Sequence, residues 1–279
     1  MAKINLSNLF FCYKCQLNYS NSAEIFFGIY HEFLSFRKKN FSMELSENIV
    51  ALITGGTKGI GLGIAEALLK VGVKVAITSR HGEEAQRVAE KLGPQSKVLG
   101  METDVRDYQS QERAIAQVLE KWGSLDILVA NAGIGHFAPI EELTLEQWQQ
   151  TIDTNLTGVF YSIKASIEAL KKTQGYIFTI SSLAGTNFFA NGSAYNASKF
   201  GVTGFTQAVM LDLRNYGIKV STIMPGSVAT HFNDHQPSEE DAWKIQKEDI
   251  GELVVDLLRM NPRALPSKIE IRPTTPPGK

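Results

Sequence analysis

The sequence predicts an α/β fold, a doubly wound parallel sheet of about seven strands in a single domain. Three observations carry that reading. From Ile49 onward, apolar runs of strand length alternate with stretches of helical spacing, the rhythm of repeated βαβ units. Most of these runs are apolar throughout instead of alternating with polar residues, as strands covered on both faces are. A glycine cluster follows the first run and opens directly into an apolar-periodic helix, the local chemistry that places phosphate at a helix N-terminus.

The strands are expected at Ile49–Ile53, Lys74–Thr78, Lys97–Met101, Asp126–Ala130, Tyr176–Ser181, Lys219–Met224 and Lys268–Ile271. Helical spacing fills the intervals at Ile60–Val71, Glu83–Leu92, Tyr108–Trp122, Leu145–Lys172 with one break, Ala194–Tyr216 and Asp249–Met260. Right-handed crossovers between such elements give an open sheet wound in both directions. Residues 46–272 form this domain. Residues 1–45, rich in Asn, Ser, Phe and Tyr and without periodicity, are expected to be an irregular appendage, and Met43 stands where translation of the domain alone would begin. The tail 273–279 carries three prolines and is expected to be irregular.

With 28 basic and 29 acidic side chains in 279 residues, the chain lacks the strong field that favours nucleic acid or an anionic membrane surface. No run reaches the roughly 18 apolar residues of a membrane-spanning helix. The only two cysteines, Cys12 and Cys15, build no disulfide framework, so a cytoplasmic protein is expected. Their spacing lacks the further ligands of a zinc site and the context of a redox motif; no metal site is expected.

The first strand is followed by Thr54-Gly55-Gly56-Thr57-Lys58-Gly59-Ile60-Gly61. Glycines at 55, 59 and 61 allow a tight turn and a close approach to a pyrophosphate, although their spacing differs from the commoner Gly-x-Gly-x-x-Gly. The second strand ends in Thr78-Ser79-Arg80, with no carboxylate to take the adenosine ribose hydroxyls. Arg80 and Lys58 suit a 2′-phosphate instead, which points to NADP(H) over NAD(H), unless both are simply solvated surface residues. Farther on, Tyr195 and Lys199 stand one helical turn apart on the same face. A neighbouring ammonium is expected to stabilise the phenolate of a tyrosine whose ordinary pKa is near 10, fitting it for acid–base work.

Thr54–Gly61, Asn131-Ala132-Gly133, Asn155, Ser181-Ser182, Tyr195-x-x-x-Lys199 and Pro225-Gly226 occur in one order over residues 49–271. In order and spacing the chain resembles the classical short-chain dehydrogenases/reductases. The resemblance implies a Rossmann-type fold and hydride transfer between a nicotinamide cofactor and a carbonyl or alcohol carbon, using the pro-S hydrogen. It implies that Tyr195 exchanges the proton with the substrate oxygen, that Ser182 hydrogen-bonds that oxygen, and that Lys199 biases Tyr195 and holds the nicotinamide ribose. Asn155 would hold a water linking Lys199 to solvent, though a mid-helix Asn also marks a kink. Asp104 would accept from the adenine amino group with Val105 beside the ring, or else cap the next helix. Asn131, Ala132 and Gly133 would lie along the adenosine, with Ala130 in place of a frequent asparagine. Pro225, Gly226, Val228 and Thr230 would hold the nicotinamide end.

Substrate-facing residues are expected on loops at the strand C-termini: His136 and Phe137, Phe188 and Phe189, and His231 to Asp234. The aromatics suit an apolar or aryl carbonyl and equally suit packing within a loop or a subunit interface. Alternatives are a reductase of 3-oxoacyl thioesters on acyl carrier protein or CoA, for which Lys171 and Lys172 are the only nearby basic pair, a dehydrogenase of small hydroxy compounds, and a sensor that binds NADP(H) without turnover. The resemblance also implies a homodimer or homotetramer. Arg272-Pro273 replaces the Asp-Gly-Gly common after the last strand and leaves the larger assembly open.

Overall fold

In the computed structural model, residues 45–275 are described. The appendage expected over residues 1–45, with Cys12 and Cys15, lies outside them save for its last residue, and so do positions 276–279 of the tail. The strands are β1 (Val50–Ile53), β2 (Lys74–Ser79), β3 (Val98–Glu102), β4 (Ile127–Ala130), β5 (Tyr176–Ile180), β6 (Lys219–Pro225) and β7 (Lys268–Ile271). They form one seven-stranded sheet in the order β3-β2-β1-β4-β5-β6-β7, parallel at every pairing.

The helices are α1 (Gly59–Lys70), α2 (Gly82–Leu92), α3 (Tyr108–Trp122), α4 (Leu145–Ile152), α5 (Gly158–Thr173), α6 (Ser193–Leu213) and α7 (Lys247–Arg259). Two cores result from the period-2 alternation of side chains along each strand. Ala51 and Ile53 of β1, Ile127 and Val129 of β4 and Phe178 of β5 pack beneath α1 and α7 through Ile64, Leu68, Val254 and Leu258. Val50, Leu52, Leu128 and Ile177 point the other way and meet Ile115 and Val118 of α3, Ile163 and Leu170 of α5, and Val202 of α6. That double coverage is why the central strands read as continuous apolar runs. Strand β7, at the sheet edge, alternates exposed Lys268 and Glu270 with half-buried Ile269 and Ile271.

The break expected within Leu145–Lys172 is a five-residue π-helical turn, Asp153–Thr157, between α4 and α5. The start of α4 carries a capping box: Thr144 Oγ accepts from the Gln147 amide and Gln147 Oε1 from the Thr144 amide, both at 3.1 Å. Helix α6 ends at Leu213, three residues before the expected Tyr216, because Arg214–Tyr216 tightens into a 3₁₀ turn closed by Gly217. Among the described residues no helix is long and apolar enough to cross a membrane.

The chain reverses its direction of winding between β3 and β4, so β1 and β4 are neighbours whose following loops diverge. Such a switch point leaves a crevice at the carboxyl ends of the strands.

Candidate active site

Two loops frame the crevice and are tied to each other. Thr54 Oγ, at the end of β1, accepts from the amides of Asn131 (3.0 Å) and Ala132 (3.1 Å) after β4. The Asn131 carboxamide donates back to the carbonyls of Thr54 (2.8 Å) and Gly55 (3.0 Å). Thr54 therefore fixes the separation of the two loops, a role the glycine pattern alone did not reveal. Gly55 and Gly59 hold φ of 63° and 56°, a region that favours glycine. A β-carbon on Gly61 would stand 2.5 Å from Asn131 Nδ2 and from the Gly55 carbonyl. Gly61 thus serves this packing and is not among the residues lining the cleft.

The cleft encloses about 810 Å3. One end is lined by Gly55, Thr57, Lys58, Gly59 and Ile60 with Ser79, Arg80, Asp104 and Val105; the middle by Asn131, Ala132 and Gly133. Ser182, Tyr195, Lys199, Pro225, Gly226, Val228 and Thr230 line the other end. The residues fit an extended dinucleotide. Helix α1 has neither a side-chain cap nor an acidic residue in its first turn, so its first amides face the cleft with the dipole that favours a pyrophosphate. The Thr103 hydroxyl, on a residue 2% exposed at the adenosine end, has no hydrogen-bond partner among the described residues. A smaller groove of about 270 Å3 between α1 and α7 has none of these features.

Asp104 does line the cleft, but Arg106 grips both of its carboxylate oxygens, at 3.0 and 2.6 Å. That bond, with the neighbouring amide and the charge of Arg80, holds the carboxyl below its ordinary pKa. Capping of α3 falls to Asp107, whose carboxylate accepts from the Gln109 amide at 3.0 Å.

At the opposite end, β5 and α6 bring Ser182, Tyr195 and Lys199 together. The Ser182 side chain favours ionisation of Tyr195, yet burial outweighs it and pushes the phenol up to about 12. Desolvation likewise pulls Lys199, on a residue 5% exposed, down to about 8. Burial sets the direction of the tyrosine's shift. Lys199 Nζ donates to the Ile180 carbonyl at 2.9 Å and stands 5.6 Å from the Tyr195 ring centre. Ser181 is turned away, bonded to Thr203 (2.8 Å) and the Lys199 carbonyl (3.1 Å).

Asn155 lies in the π-helical turn, buried, with its side chain filled. Oδ1 accepts from the Ile134 amide at 2.8 Å, and Nδ2 donates to the Ile134 carbonyl at 2.8 Å and Ser198 Oγ at 3.0 Å. It braces the loop after β4 against α6 and does not reach the cleft surface.

Of the substrate candidates, His136 lines the cleft, bonded to Gln150 at 3.2 Å. Phe137 packs edge-on to Tyr195, ring centres 5.3 Å apart, and Phe189 lies against Phe137 at 5.9 Å. Phe188 is 86% exposed and is not brought to the site, because its ring points out of the turn before α6. Phe232, from the segment after β6, completes the cluster at 5.6 Å from Tyr195 and 6.3 Å from Phe137. That segment is anchored by buried Asp241, which pairs with His235 and Lys244, each at 2.5 Å. These bonds hold the Asp241 carboxyl down at about 2, the Lys244 bond contributing most. Only the folded segment makes this anchor visible.

The short chain dehydrogenase family matches residues 49–241. Trans-4-hydroxycyclohexanecarboxylate dehydrogenase of Sinomonas cyclohexanicum is 38% identical over 188 residues, 65% of this chain and 73% of that protein. An alcohol dehydrogenase from the archaeon Thermococcus sibiricus, solved with 5-hydroxy-NADP, superposes with a TM-score of 0.77 at 28% identity, covering 83% of this chain and 99% of the other. A 3-ketoacyl-(acyl-carrier-protein) reductase from Brucella melitensis, solved with NADH, gives 0.74 at 27% identity over 80% and 96%. On this sequence match and shared architecture the chain belongs to the short-chain dehydrogenase family, as a nicotinamide-dependent oxidoreductase of alcohols and ketones.

Proposed function

We propose that the protein is an NADP(H)-dependent carbonyl reductase and alcohol dehydrogenase, with an apolar cyclic or aryl ketone, or the corresponding secondary alcohol, as substrate. The observation that carries the reading is the grouping of Ser182, Tyr195 and Lys199 at one end of a cleft whose other end presents the amides of α1, Lys58 and Arg80. Bound along that cleft, the nicotinamide cofactor supplies the hydride chemistry. In the reductive direction Tyr195 donates its proton to the carbonyl oxygen. A phenol held near 12 stays protonated at neutral pH and is ready to donate. Ser182 orients the same oxygen, and such a donor contributes about 3–4 kcal/mol to stabilising charge that develops there. Lys199 holds positive charge beneath the site and would hold the nicotinamide ribose. Asn155 keeps the loop after β4 at the right height. Phe137 and Phe232 flank Tyr195 and exclude water from the reacting carbon.

The preference for NADP(H) is supported by Arg80 and Lys58 and by the absence of a carboxylate on the last residue of β2. A reductase of 3-oxoacyl thioesters is the second reading, favoured by the Brucella structure. Against it, Lys171 is bonded to Glu168 at 2.8 Å and lies over the Tyr216 ring, so the basic pair is half committed. A sensor without turnover leaves the grouping of Ser182, Tyr195 and Lys199 unused. A homodimer or homotetramer is part of the proposal, since Phe160 of α5 and Phe200 and Leu211 of α6 stand exposed.

The test is NADPH-dependent reduction across aryl and cyclic ketones, β-ketoesters, β-ketoacyl thioesters and quinones, with Tyr195→Phe as the control. The expected result is turnover of cyclic or aryl ketones that falls at least roughly a thousandfold in the variant while NADPH still binds. Turnover confined to thioesters would move the assignment to the second reading. Tight binding with no turnover across the panel would overturn the enzyme mechanism.

A further inference from the structure

Glu84 stands in the first turn of α2 and lines the cleft beside Ser79 and Arg80. Its Oε2 accepts the Ser79 hydroxyl proton at 2.9 Å, and Ser79 Oγ in turn accepts from the His81 amide at 3.3 Å. We infer that Glu84 is a cofactor-specificity residue: it opposes the 2′-phosphate and so narrows the enzyme's preference for NADP(H) over NAD(H). The inference rests on the cofactor placement proposed above.

A serine hydroxyl has one proton, and here it is committed to a carboxylate. Ser79 can accept from a ribose hydroxyl but has nothing to donate to a phosphate. A 2′-phosphate offers only acceptors and a charge close to two, so it meets repulsion from Glu84 and finds its cationic donors in Arg80 and Lys58. Among the described residues Arg106 adds no net positive charge here, since it is neutralised by Asp104 across a 2.6 Å ion pair. A ribose 2′-hydroxyl, by contrast, can donate to Glu84 or Ser79 directly. Arg80, just after β2, and Lys58, at the start of α1, carry the attraction for the phosphate, and a residue of α2 carries the repulsion. Reading the glycine loop and the end of β2 alone captures the first and misses the second.

The experiment is equilibrium binding of NADPH and of NADH to the full chain, followed by nicotinamide fluorescence, in wild type, Glu84→Gln, Ser79→Ala and the double variant. Glu84→Gln keeps the shape of the side chain and removes its charge. NADPH should then bind about tenfold more tightly, the size of one charge–charge repulsion across a few ångströms of wet cleft, while NADH changes by less than about twofold. Ser79→Ala should weaken NADPH only in the E84Q background, where the freed hydroxyl can donate. If both nucleotides bind the wild type and their affinity ratio is unchanged in Glu84→Gln, or both shift equally, the inference is wrong and the proposed function stands. If neither binds the wild type, the proposed function fails and this inference fails with it.

Discussion

Burial shifts the two groups at the floor of the cleft in opposite directions, and each shift has a stability consequence of definite sign. Lys199 titrates near 8 in the folded chain, below its ordinary 10.5. The folded state therefore binds less proton than the unfolded one between those values, so its contribution to stability rises with pH across that window. Tyr195, raised to about 12, contributes stability that is fully present below its ordinary 10 and is lost as pH climbs through 12. Urea unfolding of wild type and Lys199→Met between pH 7.5 and 10.5 should show the difference moving in favour of wild type as pH rises; a pH-independent difference would mean the lysine is not desolvated. Asn155→Ala leaves the amide and carbonyl of Ile134 and the Ser198 hydroxyl without that partner. It should lower stability by about 2 kcal/mol, seen as a lower melting temperature, together with a loss of kcat.

At the scale of elements, the site depends on how closely its parts approach. Gly61 on α1 abuts the loop after β4, and an added β-carbon there would collide with Asn131 and the Gly55 carbonyl. Gly61→Ala should cost about 1–3 kcal/mol and weaken nucleotide binding, measurable by calorimetry, because the loops framing the crevice must part. The segment between β6 and α7 behaves as a unit of its own. Asp241 ties His235, Lys244 and the Ser238 amide together beneath Phe232. Asp241→Asn removes the charge that holds Lys244 and the His235 ring. The expected outcome is faster hydrogen exchange over residues 228–246, a higher KM for the ketone and weaker NADPH binding, since Val228 and Thr230 lie in that segment and line the cleft. The anchor itself should persist above pH 4 and fail as pH falls toward 2, since the carboxyl is held at about 2.

For the whole molecule, the outer face of α5 and α6 is the open question. Phe160 is 44% exposed and Leu211 52%, on the helices that flank the loop bearing Ser182. Sedimentation at micromolar concentration should show a dimer or tetramer, and Phe160→Glu combined with Leu211→Glu should shift it toward monomer while far-ultraviolet circular dichroism stays the same. A wild-type monomer would instead assign these side chains to the surface. Because α6 also carries Tyr195 and Lys199, assembly through it would stiffen the site, and the variant's kcat should fall along with its mass.

The sequence by itself determined the sheet, its elements and the shared helix face of Tyr195 and Lys199, while Ser182 joined them through the family resemblance. Buried parallel strands must be apolar on both faces, tight phosphate turns need glycine, and a tyrosine and lysine one helical turn apart share a face; all three are local patterns that survive without a structure. What only the tertiary structure decided depends on distance and burial between remote segments. Glu84 acts on Ser79 because α2 folds back over the end of β2. Asn155 holds a loop 21 residues away. Tyr195 is raised because burial desolvates it more than the Ser182 side chain stabilises its charge. Phe232 joins Phe137 on the tyrosine, while Phe188, adjacent in sequence to Phe189, faces solvent. Residue type and spacing determine which groups can do chemistry; the medium around them, and the neighbours that share their protons, exist only once the chain has folded.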